Sequence, residues 1–483
     1  MQTGLIGFVI LYLLVSIAIG LYAATRVRNA KDYAIAGRSL PLYITVATVF
    51  ATWFGSETVL GISGTFLKEN LKGVVSDPFG SSLCLIIVGV FFAAAFYRMN
   101  LLTIGDYFRE RYNRTIEVVA SLAIVASYLG WTSAQVIALG LVFNILTGGA
   151  IGLQQGMLLG AAIVVLYTLF GGMWSVALTD FFQMILIVLG MLYIAFVATG
   201  LVGGVDKVIS HAAQAGKFEF WPKPEAKDIL WFFGAWITMM LGSIPQQDVF
   251  QRVTSAKDAK TARRGTIIGG VLYFFFAFIP MYLAYTSTLV DPAATAKLLE
   301  EDSQHILPSL VLNHMPVFAQ VMFFGALLSA IMSTASGALL APSVTFTENI
   351  LRGMFRQWND RQFLWAMRFV VIGFSAIVLV FALNSDANIF KMVENAYKVT
   401  LVTAFVPLAF GLAWKRANAQ GALLSMLLGA IAWLLSEALN PEGLMPPQLV
   451  GLLWGIIGMV AGSLLPRLAP RRSHATPHAT PRS

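Results

Sequence analysis

Four stretches of this 483-residue chain combine residue types and spacings suited to holding an ion or a polar solute. The first is Ala51–Gly64, A-T-W-F-G-S-E-T-V-L-G-I-S-G, which sets the carboxylate of Glu57, three glycines and two serines inside an apolar segment, residues 41 to 66. A carboxylate at mid-membrane costs roughly 2.5–3.5 kcal/mol even on the lenient insertion scales, and a glycine costs about 1 kcal/mol against alanine in a helix. Such a segment faces protein or water. It predicts a discontinuous helix at a transport site, where the freed carbonyls meet a polar ligand instead of hydrocarbon. A small-residue packing face would account for Gly61 and Ser63 but not for Glu57.

The second stretch, L-G-S-I-P-Q-Q-D-V-F-Q-R-V (Leu241–Val253), repeats the pattern: Gly242 and Pro245 interrupt an apolar segment, and Gln246, Gln247 and Asp248 follow. The third, S-A-I-M-S-T-A-S-G-A-L-L-A-P-S (Ser329–Ser343), is dense in hydroxyls, with Ser333 and Thr334 adjacent and Ala330 about a turn before them. Single hydroxyls in helices bond back to the previous turn or allow close packing. A run of them facing a broken helix makes a hard oxygen site that can strip water from sodium and cannot hold a proton. The fourth, F-G-G-M-W-S-V-A-L-T-D-F-F-Q (Phe170–Gln183), puts a tight turn at Gly171-Gly172 before Thr179-Asp180. Asp180 either interacts with a helix N-terminal dipole or attracts a cation leaving towards the cytoplasm.

The elements that must carry these stretches follow from composition. The chain is 58% hydrophobic and 12% charged, with mean hydropathy +0.75, against roughly 25% charged residues in a soluble domain. It is therefore a polytopic, all-α membrane protein. Continuous rather than alternating apolar runs exclude a barrel. The net charge of +8 is spread over short loops and points to topology rather than a nucleic acid; the lone Cys84 allows no internal disulfide, and no Cys/His cluster suggests a metal site. The N-terminal apolar run is read as a retained first span.

Apolar runs of about 20 residues give about thirteen transmembrane helices, at 4–23, 41–66, 78–97, 117–145, 152–170, 176–203, 229–250, 265–287, 316–346, 366–384, 387–413, 419–439 and 447–465. With the N-terminus outside, 23 of the 32 Lys and Arg residues fall in cytoplasmic segments, Arg252, Arg356, Arg467, Arg471, Arg472 and Arg482 among them, and 7 fall outside. That split predicts N-out, C-in. The breaks lie in the second and seventh spans. Five is an odd number of helices, so the two halves run in opposite directions: an inverted repeat with the site at its midplane junction. The resulting units are a peripheral N-terminal helix and loop (1–40), a first five-helix repeat with an external loop (41–227), a second repeat (228–414), two peripheral helices (415–466) and a disordered cytoplasmic tail (467–483).

Three of these stretches, together with T-I-G-D-Y-F (Thr103–Phe108), resemble the sodium:solute symporter family, which includes proline, sialic acid, sugar and choline transporters; the resemblance runs from about residue 4 to 465. It implies a LeuT-type 5+5 fold with one extra N-terminal helix. It further implies one co-transported sodium held by the carbonyls of Ala51, Phe54 and Ala330 and the hydroxyls of Ser333 and Thr334, with Asp180 on the cytoplasmic ion path. P-Q-Q-D-V-F-Q-R-V-T-S-A (Pro245–Ala256) and H-I-L-P-S-L-V (His305–Val311) resemble the choline branch, where aromatic rings cage a quaternary ammonium. Trp53 and Trp131 match ring positions of that cage, although ordinary packing would use them equally. Gln246 and Ser81 stand where the branch has further rings, which favours a solute with hydrogen-bonding groups. Glu57 and Asp77 match solute-binding positions of the sugar branch, and Asp77-Pro78 also reads as a helix cap. The expected solute contacts are thus Trp53, Glu57, Asp77, Trp131, Gln246, Gln247 and Asp248.

The function expected is uptake of a small organic solute (amino acid, choline-like amine, monocarboxylate or sugar) driven by sodium, in the cell (inner or plasma) membrane. One charge crossing about 100 mV supplies ~2.3 kcal/mol and a tenfold sodium gradient ~1.4 kcal/mol, enough to sustain a solute gradient of a few hundredfold. A solute sensor of the same fold would need a signalling module, and the sequence after residue 466 is a short polar tail. A proton-coupled carrier would use Asp180 or Glu57. An enzyme is not expected, because no nucleophile and base constellation appears.

Overall fold

The computed structural model describes residues 2–355, 357–385 and 388–466. Arg356 and the tail 467–483, both assigned above to the cytoplasmic side, lie outside the described residues. The regular structure of the described residues is helical apart from one isolated bridge. In chain order the principal helices are α1 (Gln2–Ala24), α2 (Leu42–Trp53), α3 (Ile62–Gly73), α4 (Val75–Met99), α5 (Ile104–Arg111), α6 (Arg114–Leu146) and α7 (Leu153–Val202). They continue as α8 (Ala226–Gly242), α9 (Gln247–Ser255), α10 (Ala259–Val290), α11 (Val317–Met354), α12 (Asp360–Leu383), α13 (Ile389–Ala413), α14 (Ala419–Leu439) and α15 (Pro447–Leu464). Ten are long and apolar enough to cross a bilayer, or eleven spans if the α8–α9 pair, bent by 46°, counts as one.

The break expected within residues 41–66 is present: α2 stops at Trp53, and helical structure resumes as a π-helical turn at Glu57–Gly61 leading into α3. One expected boundary between spans differs, for a physical reason. The expected spans 152–170 and 176–203 form the single run α7, interrupted only at Gly172 (φ 49°, ψ −137°). That φ is left-handed, and a Cβ on Gly172 would overlap the Tyr33 backbone oxygen, so the bend needs glycine. Fifty residues at 1.5 Å each measure about 75 Å, against a hydrocarbon core of about 30 Å, so the bend separates two limbs rather than decorating one span.

The middle of α11 is the centre of the molecule, with every residue from Phe323 to Thr345 buried. A helix covered on all sides needs no amphipathic stripe, which is why its sequence reads as small and hydroxyl residues. Peripheral helices instead leave apolar side chains uncovered, such as Phe369 on α12 and Leu434 and Leu435 on α14, as a lipid-facing surface requires. The two broken elements are joined directly: Leu40, just before α2, donates its N–H to the Ser255 carbonyl (2.9 Å) and accepts from the Lys257 N–H (2.9 Å). The start of one broken helix is therefore stitched to the end of the other.

Candidate ion and solute site

At the first break Phe54 leaves helical geometry (φ −83°, ψ 73°), and the last carbonyls of α2 lose their helical donors. Each finds a hydroxyl. Trp53 O accepts from Thr58 Oγ1 at 2.9 Å, Thr52 O from Thr334 Oγ1 at 3.3 Å, and Ala51 O lies 3.2 Å from both Ser333 Oγ and Thr334 Oγ1. The freed N–H of Ser56 donates to Gln135 Oε1 (3.1 Å). Ser333 and Thr334 point about 100° apart on α11, yet both reach Ala51 because the end of α2 lies in the groove between them. Ser333 also donates to Asp180 Oδ1 at 2.5 Å. A hydroxyl has one proton; with that proton on Asp180, Ser333 Oγ and Ala51 O turn lone pairs towards each other. Oxygens 3.2 Å apart form the edge of an octahedron about 2.3 Å in radius, a separation suited to a hard cation with oxygen ligands. Phe54 and Ala330 are fully buried, at the break and one turn before Thr334. Asp180, expected on an exit path, thus touches one of the two hydroxyls, that of Ser333.

Glu57, on the π-helical turn after the break, is buried and accepts from Gln135 Nε2 (2.8 Å) and Trp131 Nε1 (3.2 Å). Trp131 belongs to a ring cluster: its centroid is 6.2 Å from Trp53, 5.8 Å from Tyr397 and 5.7 Å from Tyr128, and Trp53 stacks on Tyr397 at 5.6 Å. Asp248, in the first turn of α9, accepts a hydrogen bond from Tyr128 and donates its N–H to the same hydroxyl oxygen (2.9 Å). Gln246, at the second break, bonds through Nε2 to Ser127 Oγ (3.0 Å) and Thr400 Oγ1 (3.2 Å). Asp77 accepts from Ser81 Oγ (2.5 Å) and from Tyr273, whose hydroxyl also lies 2.9 Å from Thr58 Oγ1. Its carboxylate serves hydroxyls rather than capping a helix, so it is tied to the residue after Glu57. Four buried polar atoms here, Trp53 Nε1, Tyr397 Oη, Asp77 Oδ2 and Asp248 Oδ2, have no hydrogen-bond partner within the protein. Native interiors seldom leave such atoms unsatisfied unless a ligand or function uses them.

Gln247 is not brought into this cluster. Its carboxamide accepts from the Ile104 N–H (2.8 Å) and approaches Leu102 O (3.5 Å), because a one-residue step along α9 turns it away from Gln246 by about 100°. Residues that the sequence reading passed over include Gln135, Tyr128, Tyr273 and Tyr397. Arg252 was counted with the cytoplasmic loops; it is buried on α9, and among the described residues it is the one buried Lys or Arg. Its position one turn after Asp248 was the available signal.

The family model of the sodium:solute symporter family matches residues 33–429. The chain belongs to that family. It is 29% identical over 451 residues to the high-affinity choline transporter 1 of Torpedo marmorata, covering 88% of this chain and 75% of that protein. It is 27% identical to the osmoregulated proline transporter of Bacillus subtilis (92% of each chain) and 26% identical to the sodium/pantothenate symporter of Escherichia coli (95% and 96%). Among solved structures, a substrate-bound, outward-open Na+-coupled sialic acid symporter superposes with a TM-score of 0.80 at 21% identity, covering 95% of this chain and 97% of that one. Mhp1, a nucleobase-cation-symport-1 family transporter, superposes with a TM-score of 0.61 at 15% identity (89% and 94%). The architecture is that of LeuT-fold transporters, and this sodium:solute symporter is a multi-pass membrane protein that couples sodium to solute uptake.

Proposed function

We propose that the symporter takes up a small solute bearing a cationic nitrogen, held by Trp53, Trp131 and Tyr397 with Glu57 as counter-charge. One observation carries this reading: Trp131 is at once a wall of the ring cluster and a donor to the Glu57 carboxylate. Aromatic faces attract a desolvated cation by about 2 kcal/mol or more. Charge balance favours the same class. Glu57, Asp77, Asp180 and Asp248 are buried around the two breaks with only the Arg252 guanidinium among them. Sodium and a cationic solute reduce that excess, whereas a monocarboxylate would add to it. The unpartnered atoms of Tyr397, Asp77 and Asp248 remain for the solute's hydrogen-bonding groups. The rings pack on one another, so solute entry must part them.

The coupling sodium sits between Ala51, Phe54 and Ala330 carbonyls and the Ser333 and Thr334 hydroxyls, with Asp180 in contact through Ser333. The protein crosses the cell membrane about thirteen times, N-out and C-in. Its repeats span residues 41–227 and 228–414, flanked by the peripheral units 1–40 and 415–466. The bridge between Leu40 and Ala256 ties the start of the first repeat's broken helix to the end of the second's.

The test is uptake into proteoliposomes under an inward sodium gradient, with labelled choline, proline, a monocarboxylate and a hexose. Accumulation of the amine, and its inhibition by other amines, is expected. Accumulation of the monocarboxylate or hexose instead would discard the cation reading. In sealed right-side-out cells, cysteines at Lys217 and Lys297 should react with an impermeant reagent and one at Lys260 should not; the opposite pattern would reverse the topology.

A further inference from the structure

We propose that Arg252 is a tethered cation that partners Asp180 in the sodium-free carrier and competes with the coupling sodium for it, so that its charge sets how tightly the ion is held. The inference rests on the sodium site proposed above. The Arg252 guanidinium is buried, and its Nη2 lies 3.9 Å from Asp180 Oδ2, close enough for ion pairing but too far for a hydrogen bond. Nε and Nη2 have no hydrogen-bond partner, nor has Asp180 Oδ2; Nη1 reaches only the Asp248 carbonyl of its own helix, at 3.4 Å. A structural ion pair would be expected to be short and satisfied, because desolvating both charges is repaid only by good geometry. This pair is loose on both sides.

Its surroundings place it between the two ligands. Asp180 Oδ1 is held by Ser333, the proposed sodium ligand, while Asp248 is held by Tyr128 beside the ring cluster. Arg252 is carried by the second broken helix and approaches α11 at Gly337, one turn past Ser333 on the same face. A Cβ on Gly337 would overlap Nη2, so the guanidinium reaches this place only because the position is glycine. A sodium ion at Ser333 and Ala51 would bring a second positive charge to the same carboxylate. The two cations repel strongly at this depth, where screening is weak. Sodium binding therefore loosens α9 from Asp180, and re-pairing of Arg252 with Asp180 favours ion release.

The experiment follows sodium-dependent thermal stabilisation of purified, solute-free protein, together with sodium-dependent uptake. Arg252→Gln removes the competing charge and should lower the half-saturating sodium concentration on the order of tenfold, as for a charge interaction worth about one decade of affinity, while slowing turnover through ion release. Arg252→Lys should fall between the two. Gly337→Ala displaces the flexible guanidinium without changing any charge, and should shift sodium affinity in the same direction even if Arg252→Gln folds poorly. In an Asp180→Asn background, Arg252→Gln should no longer matter. A half-saturating concentration that is unchanged or raised in Gly337→Ala and in folded Arg252→Gln, with wild type responding to sodium, would overturn this proposal alone. If sodium neither stabilises nor drives wild type, the sodium site falls, and this inference with it.

Discussion

Replacing Thr334 by valine removes one hydroxyl while preserving side-chain shape, so it isolates the oxygen that contacts Ala51 (3.2 Å) and Thr52 (3.3 Å). In the proposed site Thr334 supplies one of five oxygens. The ion would retain four, and the carbonyls of Ala51 and Thr52 would lose a donor whenever the ion is absent. Losing one polar contact in a buried site costs about 1–2 kcal/mol, which corresponds to a roughly 5- to 30-fold rise in half-saturating sodium. Solute KM measured at saturating sodium should change less than about twofold, because the Glu57 and ring contacts are untouched and linkage acts only through ion occupancy. Thr334→Ser restores the oxygen and should return sodium dependence to near wild type. Ser333→Ala should weaken sodium further, since it also removes the 2.5 Å hydrogen bond to Asp180. The assay is uptake in proteoliposomes against sodium concentration at fixed membrane potential. Sodium dependence unaltered in Thr334→Val and Ser333→Ala would refute the assignment of both hydroxyls.

Trp131→Phe retains a ring and loses the 3.2 Å bond to Glu57, so solute KM should rise several-fold, and more in Trp131→Ala; equal KM in all three proteins would move the solute elsewhere. Gly172→Ala imposes a Cβ on a left-handed residue pressed against the Tyr33 backbone. Folded protein recovered from the membrane should fall sharply, as read by size-exclusion profile after extraction, and near-normal recovery would show that α7 can bend without glycine.

How much of this was legible beforehand can be seen residue by residue. Both breaks announced themselves, because glycine, proline and carboxylates are costly in lipid and have few other uses there. The hydroxyl pair on α11 and its meeting with Ala51 were likewise readable from spacing and family resemblance. What escaped was direction. Helical phase sends Gln247 to Leu102 and Gln246 to Ser127, and no composition argument distinguishes neighbouring glutamines. Arg252 looked like a loop charge because hydropathy counts residues along the chain, whereas its burial depends on what α7 and α11 place around it. Asp180 was expected on an ion path, and its contact with Ser333 was not foreseen.

The bend at Gly172 also makes α7 a crank. No loop separates its two limbs, so a change of angle there is transmitted along the helix without slack. Asp180 lies eight residues further on, a lever arm of about 12 Å. A turn of roughly 10° at the bend sweeps its carboxylate through about 2 Å, enough to sever the 2.5 Å hydrogen bond to Ser333. Tyr33, pressed against the bend, belongs to the segment between α1 and α2 that leads to the stitch at Leu40. A movement at the junction of the two broken helices can therefore be felt at the proposed ion site before Ser333 or Thr334 has changed its rotamer.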